Sequence, residues 1–174
     1  WNAEPRAAGD AAAIALLAPA LALLARMHAT GLAQTDLHLG NFVCSGDVLH
    51  VVDGDAVEAH PAPLAPDAAR ANLAILLAQL PSAWDAHLDA LIAPYIAAGA
   101  HAPERDALLR EVAAVRERRL ADLLGKCVRE CSLFAVTRTP RRFVSVVRDE
   151  ADALAPLLAD PDASMRAGSV LKDG

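Results

Sequence analysis

Gln34-Thr35-Asp36-Leu37-His38-Leu39-Gly40-Asn41-Phe42-Val43, and ten positions later Asp53-Gly54-Asp55, carry more information than any other part of this 174-residue chain. Between them, Ser45-Gly46-Asp47 has the composition of a turn joining two short strands, the second covering Leu49 to Val52. Ahead of them, residues 11 to 28 are apolar nearly all round. That pattern predicts a helix at the centre of a domain, ending before Gly31 at His28-Ala29-Thr30. The order is therefore helix, polar loop, hairpin, with Asp36 and Asn41 five apart in the loop. Asp53 stands twelve residues beyond Asn41, where the second strand ends.

This layout has a chemical logic. Phosphoryl transfer from ATP needs a carboxylate to orient, or accept the proton of, an attacking hydroxyl. It also needs oxygen ligands that hold Mg2+ against the phosphates. Asp36 at the loop start suits the first role, and Asn41 with Asp53 suits the second. Asp55 competes with Asp53 as a metal ligand; the end of the strand favours Asp53, leaving Asp55 to support it or a second ion. His38 is placed either to contact a phosphate or to brace the loop. His28 is expected to pack. His50, His60, His87 and His101 are scattered, without metal-ligand spacing.

At these residues the chain resembles the protein-kinase-like superfamily, whose pattern is H-R-D-L-x-x-x-N followed by D-F-G. Here Gln34-Thr35-Asp36-Leu37 leads to Asn41 and then to Asp53-Gly54-Asp55. The D-L-H-x-G-N form is more similar to small-molecule and lipopolysaccharide kinases than to protein kinases. Gln34 departs from the usual His. Asn72-Leu73-Ala74 and Lys126-Cys127-Val128-Arg129-Glu130-Cys131-Ser132-Leu133-Phe134 also resemble the lipopolysaccharide core kinases, which phosphorylate heptose or Kdo sugars. The likeness runs from about residue 10 to 148, with motif-level identity confined to these segments.

The resemblance implies a mainly α fold: a kinase-like C-terminal lobe over residues 1–148, with a short β-hairpin around the catalytic loop. No N-terminal lobe with a Gly-rich loop and ATP-binding Lys precedes residue 10, so the expectation is a C-lobe without its N-lobe, a poor ATP binder alone. Residues 149–174 are expected to hold a helix and then Ser169-Val170-Leu171-Lys172-Asp173-Gly174. This last segment either frays or, by resemblance, begins a following kinase-like N-lobe. Implied cofactors are ATP and Mg2+. Implied partners are a lipopolysaccharide core or other anionic sugar, with the cytoplasmic face of the inner membrane as setting; no nucleic-acid partner is expected. Two rivals share the motif: a kinase of aminoglycoside or choline type, and a pseudokinase acting as a binding module.

Composition agrees with a single helical domain. The chain is 55% apolar but only 3% aromatic. Alanine and leucine dominate, and both lose little side-chain entropy in a helix. The net charge is −6, unevenly spread: residues 101–148 hold eleven of the sixteen Lys and Arg but six of the twenty-two Asp and Glu. That basic segment suits an anionic substrate or membrane surface, or is a solvated helix face. Cys44, Cys127 and Cys131 form no CxxC pair and read as reduced cytoplasmic thiols, with the last two sharing a helix face. The uncharged run between Asp10 and Arg26 is shorter than a bilayer span and is interrupted by Pro19, so it reads as a buried helix. Beyond the proline link at Pro61, Pro63 and Pro66, helices are predicted over 68–80 capped by Asp67, then 82–98 and 104–131, the last with a charged outer face. Phe134 to Val136 and Phe143 to Val147 have β character, and a helix over 149–159 precedes a capped turn at Asp160-Pro161-Asp162.

Overall fold

Alanine and leucine place most of this chain in helices, and its strands are short. The computed structural model describes residues 4–46 and 48–168. It is mostly helical, with small antiparallel sheets. Ser169 to Gly174, and Asp47 of the expected turn, lie outside the described residues.

Helix α1 runs over Glu4–Ala29. From Ala13 on, its buried positions are Leu17, Ala20, Leu21, Leu24, Ala25, Met27 and His28, a face at helical spacing. The helix continues through Pro19 rather than stopping there. Pro19 is exposed, and so is Ala15, whose carbonyl loses its intrahelical partner to the proline ring. Water can satisfy that carbonyl, which removes most of the usual cost. Ala11–Ala29 is long and apolar enough to cross a membrane by composition alone, but its buried stripe belongs to the core.

After α1 come strand β1 (Leu32–Gln34), β2 (Phe42–Ser45), β3 (Val48–Val51) and β4 (Val57–Ala59). The expected hairpin is β2–β3, in register Phe42↔Val51 to Ser45↔Val48. The β1–β4 pair was not anticipated; it matches Leu32↔Ala59, Ala33↔Glu58 and Gln34↔Val57. Helix α2 spans Pro66–Leu77. Asp67 does not cap it: Pro66 starts the helix two positions before the expected start, Ala65 is the cap residue, and Asp67 pairs with Arg70 at 2.8 Å within the first turn. The expected 82–98 helix divides into a 3-10 segment, Ser82–His87, and α3, Leu88–Ala97.

Helix α4 covers Arg105–Cys127 and stops short of 131, so Cys131 lies beyond it and shares no helix face with Cys127. Its charges are not all outward. Arg116 makes a two-pronged pair with Asp85, at 2.7 and 2.8 Å, and also donates to the Leu80 carbonyl. Glu111 accepts from Arg70 at 2.8 Å, and Arg105 pairs with Asp89 at 2.6 Å. Part of the basic character of 101–148 is thus neutralised within the chain. Leu24, Leu37, Leu73 and Leu108 are fully buried, each worth about 1.5–3 kcal/mol relative to exposure.

Two compact units divide between Glu117 and Arg118, inside α4; the expected boundary at 148 was drawn on family resemblance, a different ground. In the second unit, β5 (Phe134–Thr139) and β6 (Arg142–Val147) form a hairpin, followed by α5 (Ala151–Ala159) and α6 (Pro161–Ala167). Arg148 braces the hairpin base, donating to the Cys131 and Phe134 carbonyls. Asp160 caps α6 by accepting from the Ala163 amide at 3.0 Å.

The turn from α1 into β1 depends on Gly31, whose φ is +79° and whose missing Cβ would meet the His60 carbonyl oxygen at 2.4 Å. That oxygen is backbone and cannot swing aside. Gly31→Ala should therefore lower unfolding free energy by about 2 kcal/mol or more in urea titrations. Gly46→Ala, also at positive φ but in open space, should cost only about 1 kcal/mol.

Candidate active site

Two strand pairings gather residues far apart in sequence. The β1–β4 ladder continues as Thr35 N–H donates to the Ala56 carbonyl at 2.8 Å, with the Thr35 hydroxyl on the same oxygen at 3.0 Å. Residue 36 is thereby brought alongside the 53–56 segment. The β2–β3 hairpin continues as Val52 N–H donates to the Asn41 carbonyl at 2.8 Å. Asn41 is thereby brought beside the residue preceding Asp53. Asp36, Asn41 and Asp53 consequently share one corner of the first unit.

Side chains lock that corner. Asn41 is buried, and its Nδ2 donates to the Asp36 carbonyl at 2.9 Å. This leaves Asn41 Oδ1 without a hydrogen-bonding partner among the described residues. Gln79 clamps the same loop: its Nε2 donates to the Leu37 carbonyl at 2.8 Å, and its Oε1 accepts from Leu39 N–H at 2.9 Å. Leu37 is fully buried and anchors the loop in the core. The His38 ring lies over Gly40, where a Cβ would come within 3.0 Å of Nδ1. Its Nε2 stands 3.8 Å from Asp36 Oδ2, a loose contact between exposed groups.

Asp53 follows β3 with φ 65° and ψ 61°, a left-handed backbone. Only Asp, Asn and Gly adopt this conformation at low cost. Gln34 holds Asp53 there, its Nε2 donating to the Asp53 carbonyl at 3.0 Å. No hydrogen bond or ion pair among the described residues engages the exposed carboxylates of Asp53 and Asp55. The corner thus presents carboxylate oxygens and one amide oxygen, hard donors of the kind Mg2+ takes. Among the described residues, no three His, Cys, Asp or Glu side chains are grouped to hold a metal by themselves. A magnesium here would complete its shell with water or phosphate oxygen.

Behind the corner lies a buried polar relay. Gln34 is fully buried, and its carbonyl accepts from Asn72 Nδ2 at 2.8 Å. A carbonyl can only accept, so the amide orientation of Asn72 is fixed and its Oδ1 faces away. That oxygen lies 3.0 Å from His28 Nε2, which must carry the proton. His28 Nδ1 then accepts from the Tyr95 hydroxyl at 2.7 Å. Burial holds His28 below the usual imidazole range, with the Asn72 bond working against it. Burial also pushes Tyr95 up to about 12. A neutral ring and a protonated phenol are what this proton order requires.

Sequence reasoning singled out every residue of the corner, and expected His28 to pack. It missed Gln79, and it read Gln34 only as a departure from a pattern. One signal was available: Asn72 and Gln79 are amides seven apart, at the same angular position of a helix. A scan against protein-family models finds no match, and neither do searches of curated proteins and of solved structures.

The relay gives a signed pH dependence. His28 is neutral when folded and takes up a proton near pH 6.5 when unfolded. Its contribution is complete above that value and is lost as pH falls through the lower folded value. Urea titrations at pH 7.5, 6.5 and 5.5 should show unfolding free energy declining, by at most about 1.4 kcal/mol per pH unit from this group. A His28→Phe chain, less stable at every pH, should show a shallower decline. Parallel profiles would assign the slope to other groups.

Proposed function

We propose that this chain carries the catalytic half of a protein-kinase-like, ATP-dependent phosphotransferase whose acceptor is a sugar hydroxyl of a lipopolysaccharide core. What supports the reading most is the convergence of Asp36, Asn41 and Asp53. Three backbone carbonyls, at Asp36, Asn41 and Asp53, accept the hydrogen bonds that draw these residues together. The side-chain oxygens chemistry would need are left unengaged, apart from the loose approach of His38 to Asp36.

In this reading the exposed Asp36 carboxylate receives the acceptor hydroxyl, orienting it and taking its proton as the oxygen attacks phosphorus. Asn41 Oδ1 and the Asp53 carboxylate would hold Mg2+, with Asp55 as support. When bound, the ion would neutralise phosphate charge as the terminal phosphoryl group leaves ADP. His38 stands beside Asp36, available to a phosphate oxygen. The rigid backing from Gln34, Gln79 and Asn72 favours catalysis, because positioning supplies much of the rate in phosphoryl transfer. Lipopolysaccharide core sugars are preferred as substrate on the Lys126–Phe134 segment and on the anionic character of such acceptors.

The test is phosphate transfer from Mg-ATP to dephosphorylated core oligosaccharide by the polypeptide as encoded. Asp36→Asn should lower kcat by about 10²–10⁴ with an unchanged melting temperature, since Asp36 is exposed. Asp53→Asn, which tolerates the left-handed backbone, should lower turnover sharply and raise the Mg2+ concentration that the remaining turnover needs. Equal turnover in wild type and Asp36→Asn would remove that residue from the role of base. Unchanged core phosphate in lipopolysaccharide from a deletion strain would remove the substrate class.

A further inference from the structure

A cavity of about 460 Å³ opens on the side of the relay away from Asp53. Its size falls within the range of small-molecule sites. Its wall comes from the end of α1, the proline link, the start of α2 and the segment after α3. The wall is built mainly of alanine and proline, with Ala25, Ala29, Ala69 and Ala100 each contributing no more than a methyl group. Larger apolar side chains at any of these positions would fill the space and gain burial, so the volume is not forced by the helices. Two buried polar residues, His28 and Tyr95, each 3% exposed, are among those that line it.

The relay decides what those groups can offer. Both His28 nitrogens are engaged, Nε2 on Asn72 and Nδ1 on Tyr95. The Tyr95 hydroxyl proton is directed at His28, but the phenol oxygen keeps acceptor capacity. These two side chains therefore accept one hydrogen bond and donate none. At the rim, Arg70 is already held by Glu111 and Asp67, so it does not make an anion site. The Glu104 carboxylate is occupied by the amides of Asp106 and Ala107. An anionic ligand would meet the Glu104 carboxylate, which keeps its charge, and an apolar one without a donor would leave the phenol oxygen unmatched; the other polar side chain on the wall is the exposed His101.

We propose that this cavity binds a neutral molecule with a compact ring body and one hydroxyl donor, an aromatic or alicyclic alcohol, and that occupancy is felt at Asp53. The hydroxyl donates to the Tyr95 oxygen, which strengthens the phenol's own bond to His28. From there the path is His28 to Asn72, Asn72 to the Gln34 carbonyl, and the Gln34 amide to the Asp53 carbonyl. The site does not depend on the phosphotransferase reading, because binding and its response are read without turnover.

The experiment is amide NMR and thermal denaturation of this chain with phenol, anisole and benzoate as probes. Phenol should shift the signals of Ala69 and Ala100 saturably, shift Asp53 with the same midpoint, and raise the melting temperature. Anisole, which cannot donate, and benzoate, which is charged, should bind at least about tenfold more weakly. Tyr95→Phe should bring phenol down to the level of anisole. Ala29→Phe, at an exposed position of the wall, should abolish the effect without loss of fold. Equal binding of all three probes, or phenol shifts that survive Ala29→Phe, would overturn the site. In Asn72→Leu the Ala69 and Ala100 shifts should remain and the Asp53 shift should vanish; an Asp53 response that persists would overturn the coupling.

Discussion

One hydrogen bond, from the Gln34 side chain to the Asp53 carbonyl, fixes the relation between the two halves of the candidate site. Gln34 ends β1, and Asp53 follows β3; these strands are not paired with each other. Without that bond, the 53–56 segment would be tied to the loop through the short β1–β4 ladder, the Thr35 bonds and, at the preceding residue, the Val52 amide on the Asn41 carbonyl. The Gln34 amide is buried, so it competes with no water for its acceptor, and losing it would strand a buried polar group at a cost of about 1–3 kcal/mol. Among the described residues its Oε1 has no partner, so the hold of this side chain on Asp53 rests on the single bond from Nε2.

Helix α2 and the residues just after it serve the loop in two ways. Leu73, Leu76 and Leu77 join the apolar core, while Asn72 and Gln79 turn amides toward backbone groups of the loop. Loop backbone that leaves regular structure needs partners of this kind, because buried N–H and C=O groups are rarely left unpaired. The loop is therefore rigid where it meets the core and exposed at Asp36. This is the arrangement that favours a group meant to meet another molecule.

The hairpin and loop were legible because their chemistry is local. A Ser-Gly-Asp turn between apolar pairs, and an apolar helix ahead of it, are visible within forty or so residues. The β1–β4 pair was not, since three-residue strands leave no alternation to count and the partners are some 25 positions apart. The α2 start was misplaced for a similar reason. Asp67 has the residue type of a cap, but Pro66 fits the first helical turn and moves the boundary. Charge patterning misled on α4, because Arg116 and Glu111 read as solvated while each meets a partner more than thirty residues away. Mainly helical architecture followed from composition, and composition carries no information about such pairings.

The left-handed backbone at Asp53 has a consequence for how this position can drift. A residue chosen only for its carboxylate could be exchanged for glutamate, keeping charge and nearly keeping reach. Here the peptide geometry screens the alphabet first, and glutamate fails it along with every β-branched side chain. Asparagine and glycine remain as inexpensive neighbours. A lineage relaxing its hold on chemistry would therefore be expected to leave Asn or Gly as the scar at this position, with the surrounding turn intact.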